Sequence, residues 1–185
     1  QKDVVAAEID VLREMGVEIR CGVEVGKDIS LNDLRQDGFK AFYVAIGCQG
    51  GRKAGIAGED AVGVSTAVEF LRTALDDPAH VVSGKTVVVG SGNVAIYAAR
   101  VSMRCGADAV AMYCLEQPDE MPALPEEIAE AREDGVTINN GWGPAAIETT
   151  EDGRVRGVTF KRCTQVFDEN KRFSPRYDET DTVFV

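Results

Sequence analysis

An apolar run, Val87, Val88 and Val89, passes without a break into Gly90, Ser91, Gly92, Asn93, Val94 and Ala95, a GxGxxA spacing. That arrangement suits the paired phosphates of a dinucleotide. A glycine at 90 permits a tight turn after a strand, one at 92 lets the backbone come close to a pyrophosphate, and Ala95 keeps the following helix near the sheet. Backbone N–H groups at the helix start then face the phosphate oxygens, with the helix dipole in their favour. Glu116 lies just past the next apolar run, where an acid accepts hydrogen bonds from adenosine ribose hydroxyls and repels a 2′-phosphate. No Arg or Lys occurs from Ala107 to Ala131, so the loop expected to meet a 2′-phosphate carries no cation. On that ground NADH is favoured over NADPH. The competing readings are a glycine turn that binds nothing and a merely solvated Glu116; the uninterrupted strand, turn, helix and strand around the glycines favours the dinucleotide.

The positioning elements follow from hydrophobic period and punctuation. Residues 86–89 read as a strand, 93–105 as a helix stopped by Gly106, and 109–114 as a second strand, which lays out the start of a βαβ unit. Pro125, Glu126 and Glu127 suit the first turn of another helix, Gly135 closes it, and residues 136–139 return to a parallel sheet. Beyond lies an antiparallel meander: strands at 146–150, 155–160 and 163–167, with a turn at Glu151, Asp152 and Gly153, and a last strand at 182–185. Upstream, residues 4–15 form an amphipathic helix ended by Gly16, 17–25 read as a strand, Ser30 caps a short helix through Arg35, and 41–46 read as a buried strand. A glycine-rich crossing at 47–58 leads to a helix over 66–75, terminated by Asp76, Asp77 and Pro78.

The chain has 185 residues, 44% hydrophobic and 28% charged, enough apolar material for a packed core. Its formal charge of −11 argues against nucleic acid, which needs a basic stripe to displace counterions. The longest apolar runs are too short to span a bilayer, and no charged-then-apolar leader opens the chain, so a cytoplasmic setting is expected. Five cysteines without a CxxC pair fit reduced, packed thiols better than a disulfide framework. The opening Gln and the final strand with no turn after it suggest part of something longer.

From Gly90 to Arg100, and then through Asp119, Glu120, Met121, Pro122, Ala123, Leu124, Pro125, Glu126 and Glu127, the sequence resembles the small (beta) subunit of glutamate synthase and the matching flavoprotein part of dihydropyrimidine dehydrogenase. The likeness extends upstream through Ala45, Ile46 and Gly47, through residues 55–60, and through 67–71. The resemblance implies a flavoprotein in which an FAD lobe is interrupted by an inserted NAD(P)H lobe, with electrons passing from the flavin to iron–sulfur clusters or a large partner subunit. Residues 1–62 then correspond to a partial FAD-binding lobe, 63–83 to a connector helix and linker, and 84–185 to the NAD(P)H-binding domain. The implied fold class is α/β, a Rossmann-like βαβ domain with an antiparallel meander and a partial FAD/NAD(P)-binding lobe. Gly47 matches the end of an FAD-lobe strand; the FAD glycine fingerprint itself would precede Gln1. The chain departs from the family where relatives that use NADPH carry basic residues after the second strand: here stand Leu115 and Glu116, with Pro118 at another such position. None of the five cysteines matches the family's cluster ligands, so no metal is assigned.

Hydride transfer between nicotinamide and flavin needs alignment rather than a catalytic acid or base, so no catalytic side chain is assigned. A self-contained carbonyl reductase would call for a Tyr with Lys four residues on, and no Tyr here has one. A disulfide reductase would need CxxC. His80, the single histidine, reads as part of a polar linker. The rival from another class is a non-catalytic NAD(H)-binding regulatory or assembly module.

Overall fold

The computed structural model describes residues 2–185, which divide by their contacts into two units, Gln1–Gly47 and Cys48–Val185. In the first unit, helix α1 (Lys2–Glu14) ends where Val17 N–H donates to the Leu12 carbonyl at 3.1 Å and Gly16 adopts φ +88°. This is the left-handed C-terminal stop that glycine favours. Helix α2 (Leu31–Gln36) is opened by Ser30, whose hydroxyl accepts from Asp33 N–H while the Asp33 carboxylate accepts from Ser30 N–H. The Ser30 hydroxyl also donates to the Asp33 carboxylate at 2.7 Å, and this bond, with that from Ser30 N–H, holds the Asp33 carboxyl below its usual range.

The two strands expected at 17–25 and 41–46 do not form. Among the described residues of that unit these segments have no ladder partner, and Val25 makes an isolated bridge to Ile29. Apolar alternation marks a segment able to enter a sheet, but a strand exists only where a neighbour supplies the opposite hydrogen bonds. Val44 and Ile46 are 71% and 79% exposed.

The second unit contains the predicted βαβ. Helix α3 (Ala67–Asp76) starts from a reciprocal cap between Thr66 and Glu69 and packs on the later helix α4 (Asn93–Arg104). His80, in the connector after α3, meets the Phe70 ring edge-on at 5.9 Å. Strands β1 (Lys85–Val89), β2 (Ala109–Cys114) and β3 (Thr137–Asn140) form a parallel sheet in the order β1-β2-β3, with α4 after β1 and α5 (Pro125–Glu133) after β2. The register sets Val89 opposite Tyr113 and Tyr113 opposite Asn139. Ile96, Ala99, Met112 and Ala131 are fully buried between sheet and helices. The two alanines allow that close approach.

A second sheet, β4 (Trp142–Thr149), β5 (Val155–Phe167) and β6 (Phe173–Phe184), is antiparallel in chain order. The meander is as expected, but its strands are longer. Residues 155–160 and 163–167 are one strand: Lys161 and Arg162, which read as a break, stay in the ladder opposite Thr182 and Asp178 while their side chains ion-pair with Glu179 and Asp181. Irregular register at Lys161/Arg162 and Cys163/Gln165 accommodates them. β6 begins at Phe173, well before 182; its polar run and Pro175 hide it from an apolar-pattern reading, yet an edge strand tolerates both. The two sheets meet where Tyr113 stacks on Phe160 at 4.2 Å and 17°.

The glycine-rich stretch does not merely cross. Ala57 and Val62 bridge to Ala146 and Arg154, and Ile147 N–H donates to the Ala57 carbonyl at 2.8 Å. Gly58, at φ +82°, sits so close that a Cβ there would lie 2.2 Å from the Ile147 carbonyl oxygen. Among the described residues no helix is long and apolar enough to cross a membrane.

Candidate nucleotide-binding site

At the C-terminal end of β1 the chain turns on Gly90, whose φ of +135° favours glycine and whose N–H still donates to the Tyr113 carbonyl at 3.0 Å. A Cβ at Gly90 would meet Ala95 Cβ at 3.4 Å, so the small residue at 95 is what lets the turn fold onto its helix. Ser91 is buried, and its carbonyl accepts from Ala123 N–H at 3.2 Å.

Gly92 is the N-cap of α4, with φ −84° and ψ 170°, a conformation open to any residue. A Cβ added there would meet nothing within 4 Å. Neither backbone strain nor protein packing therefore asks for glycine at 92. What the missing side chain does provide is an unobstructed approach to the first turn of α4. That turn also lacks a side-chain cap, unlike α2 and α3 with their reciprocal capping boxes. The Gly92 carbonyl takes the N–H groups of Ala95 and Ile96, at 2.9 and 3.1 Å. The amides of Asn93 and Val94, ahead of them, are first-turn donors for which a helix has no carbonyl. Val94 is half exposed beside them. Open backbone donors at a positive helix end are what a pyrophosphate requires, and the residues present fit one.

The Asn93 side chain is engaged elsewhere: its Oδ1 accepts from Leu124 N–H at 2.9 Å. With the Ser91–Ala123 bond this ties the 119–127 segment to the glycine turn, a function that the local motif did not reveal. Arg100 on α4, 16% exposed, clamps α5 through Glu127, Glu130 and Asp134, and Tyr97 Oη donates to Glu127 at 3.0 Å. Hydrogen bonding to Arg100 holds the Asp134 carboxyl below its usual range.

Glu116 stands one strand over, just past β2. Its carbonyl accepts from Asn140 Nδ2 at 3.0 Å and Gly141 N–H at 3.3 Å, fixing the loop against the end of β3. Gly90, Ser91, Gly92, Asn93, Val94, Ala95 and Glu116 thus gather at the C-terminal edge of one parallel sheet. Gly47, at φ +65°, belongs to the other unit. Sequence reasoning missed Arg162. Brought in by the long β5, its guanidinium lies over the Trp142 ring at 3.7 Å, and Nη1 is 3.6 Å from where a Cβ of Gly141 would be. No local signal announces this neighbour of the β2 loop; it depends on strand pairing, in which Cys163 N–H donates to the Gly141 carbonyl. Among the described residues no group of three or more metal-ligating side chains converges.

No family model matches the chain. Over 173 residues, 88% of this chain, it is 32% identical to the "Glutamate synthase [NADPH] small chain" of Escherichia coli strain K12. The chain is similar to the glutamate synthase small chain and to related oxidoreductase subunits. It is likewise 33% identical over 161 residues to the "NAD-dependent dihydropyrimidine dehydrogenase subunit PreT" of that organism. The chain spans 36% and 37% of those two relatives' lengths. In fold it is similar to Mycobacterium tuberculosis FprA in complex with NADPH, with a TM-score of 0.70 over 88% of this chain and 51% of that one, at 16% identity.

Proposed function

We propose that this chain docks NADH or NADPH for an intact flavin-dependent oxidoreductase, in which hydride passes to FAD and electrons move on to iron–sulfur or partner-subunit acceptors. The observation that carries the reading is the open, side-chain-free start of α4 at Gly92. Gly90 and Ala95 shape the turn, the backbones of Ser91, Gly92, Asn93 and Val94 receive the pyrophosphate, and Asn93 also anchors the neighbouring loop. Glu116 accepts the ribose hydroxyls and favours NADH. The bound cofactors supply the redox chemistry, and the protein supplies position and electrostatics. In this organisation 84–185 is the nucleotide lobe, 63–83 the connector, and 1–62 part of an FAD lobe that includes Gly47. Relatives named for NADPH and for NAD support a nicotinamide dinucleotide.

The test is anaerobic titration of the intact flavoprotein with NADH and with NADPH. Stoichiometric bleaching of the flavin absorbance is expected. Gly92→Val should fold normally, since its backbone and surroundings accept a side chain, yet weaken dinucleotide binding about tenfold or more through lost charge-assisted hydrogen bonds. Binding without bleaching would point instead to a regulatory module, and an unaffected Gly92→Val would remove the site.

A further inference from the structure

We propose that Arg162 is the specificity-determining residue that admits the 2′-phosphate of NADPH at the ribose end of this site. The proposal rests on the dinucleotide reading and deepens it. Judged by sequence, a 2′-phosphate would find no cation there, since residues 107–131 contain neither Arg nor Lys. The fold changes that balance. A Cβ at Gly141 would lie 3.0 Å from Gln117 Nε2 and 3.6 Å from Arg162 Nη1, so both side chains meet at Gly141, whose N–H donates to the Glu116 carbonyl at 3.3 Å. Gly141, at φ +75°, has no side chain to separate them.

The guanidinium is held in advance. One face rests on Trp142, and Nε donates to Asp181 Oδ2 at 2.9 Å. The side chain is 40% exposed, so a ligand can reach it. A planar, permanently charged fork fixed in this way matches a phosphate dianion, which it meets with little loss of conformational entropy. Asp181 partly neutralises Arg162, and Glu116 stands beside Gln117 in the sequence; the two acids oppose a phosphate while Arg162 favours it. The site then takes both dinucleotides, and Arg162 governs how far NADPH is admitted.

The experiment measures dissociation constants for NADPH and NADH on the intact protein and on R162Q, R162K and D181N. R162Q should weaken NADPH about tenfold or more and change NADH less than about twofold. D181N, which frees the guanidinium, should tighten NADPH selectively. R162K keeps the charge and should hold the NADPH-to-NADH ratio nearer the parent than R162Q does. Equal losses for both dinucleotides, no loss for either, or R162K behaving as badly as R162Q would overturn the assignment and leave the Gly92 site standing. If the parent protein binds neither dinucleotide, the site reading itself fails.

Discussion

Cys114 closes β2 with its thiol against polar neighbours: Asn140 Nδ2 donates to Sγ at 3.3 Å, and the Glu116 carbonyl lies at 3.8 Å. Burial, aided by the Glu116 charge, pushes this thiol up to about 11. The folded value is above the unfolded one, near ~8.5, so the stability it confers is complete below that and is lost as pH climbs toward the folded value. Native alkylation at pH 8, read by peptide mass spectrometry, should therefore modify the exposed Cys21 and Cys48 first and Cys114 only on unfolding. Rapid native labelling of Cys114 would refute its enclosure. Single residues differ in how plainly sequence shows their work. The turn at Gly90 stands in a local spacing and was legible; Gly58 and Gly141 are glycines for the sake of Ile147 and Gln117, distant partners no local pattern can show. Arg162 was hidden for the same reason.

Between elements, the Arg100 clamp joins α4 to α5 and the residue that follows it. Replacing Arg100 with Met keeps much of the stem's packing but leaves Glu127 and Glu130 without their cation and Asp134 with Arg104 alone, and should cost about 1–2 kcal/mol in urea denaturation at neutral pH. Because Asp134 has a lowered folded value, its share of stability is present above the unfolded carboxylate range and is lost as pH falls through the folded one. The gap between parent and variant should hence narrow in acid; a constant gap from pH 7 to 3 would show that packing, not the ion cluster, accounts for the loss. Helices were read well because caps and stops are local: Ser30, Thr66, Pro125 and Gly135 each act within a turn of their own helix. Strands were read less well. Residues 17–25 and 41–46 have the pattern without a partner, whereas β6 has a partner without the pattern.

Across the second unit, the parallel sheet and the meander are joined by Tyr113 on Phe160, the latter fully buried. Phe160→Ala should destabilise by about 3–5 kcal/mol, since a cavity adds to lost burial. That is a large part of a typical stability of ~5–15 kcal/mol. The check is the urea midpoint, with the slope preserved; a fall under 1 kcal/mol (about a factor of five in the folding equilibrium) would mean the sheets are held by other contacts. The α/β order and the meander were visible from period and punctuation, but the junction of the sheets was not, since no spacing in the chain brings 113 to 160. β4 is an outer strand, and outer strands offer bare amides and carbonyls to any passing chain. Ala57, at Ala146 and Ile147, occupies part of that margin with the protein's own backbone and so shields it from pairing with another copy, while Val62 ties the same segment to the turn into β5 at Arg154 and Val155.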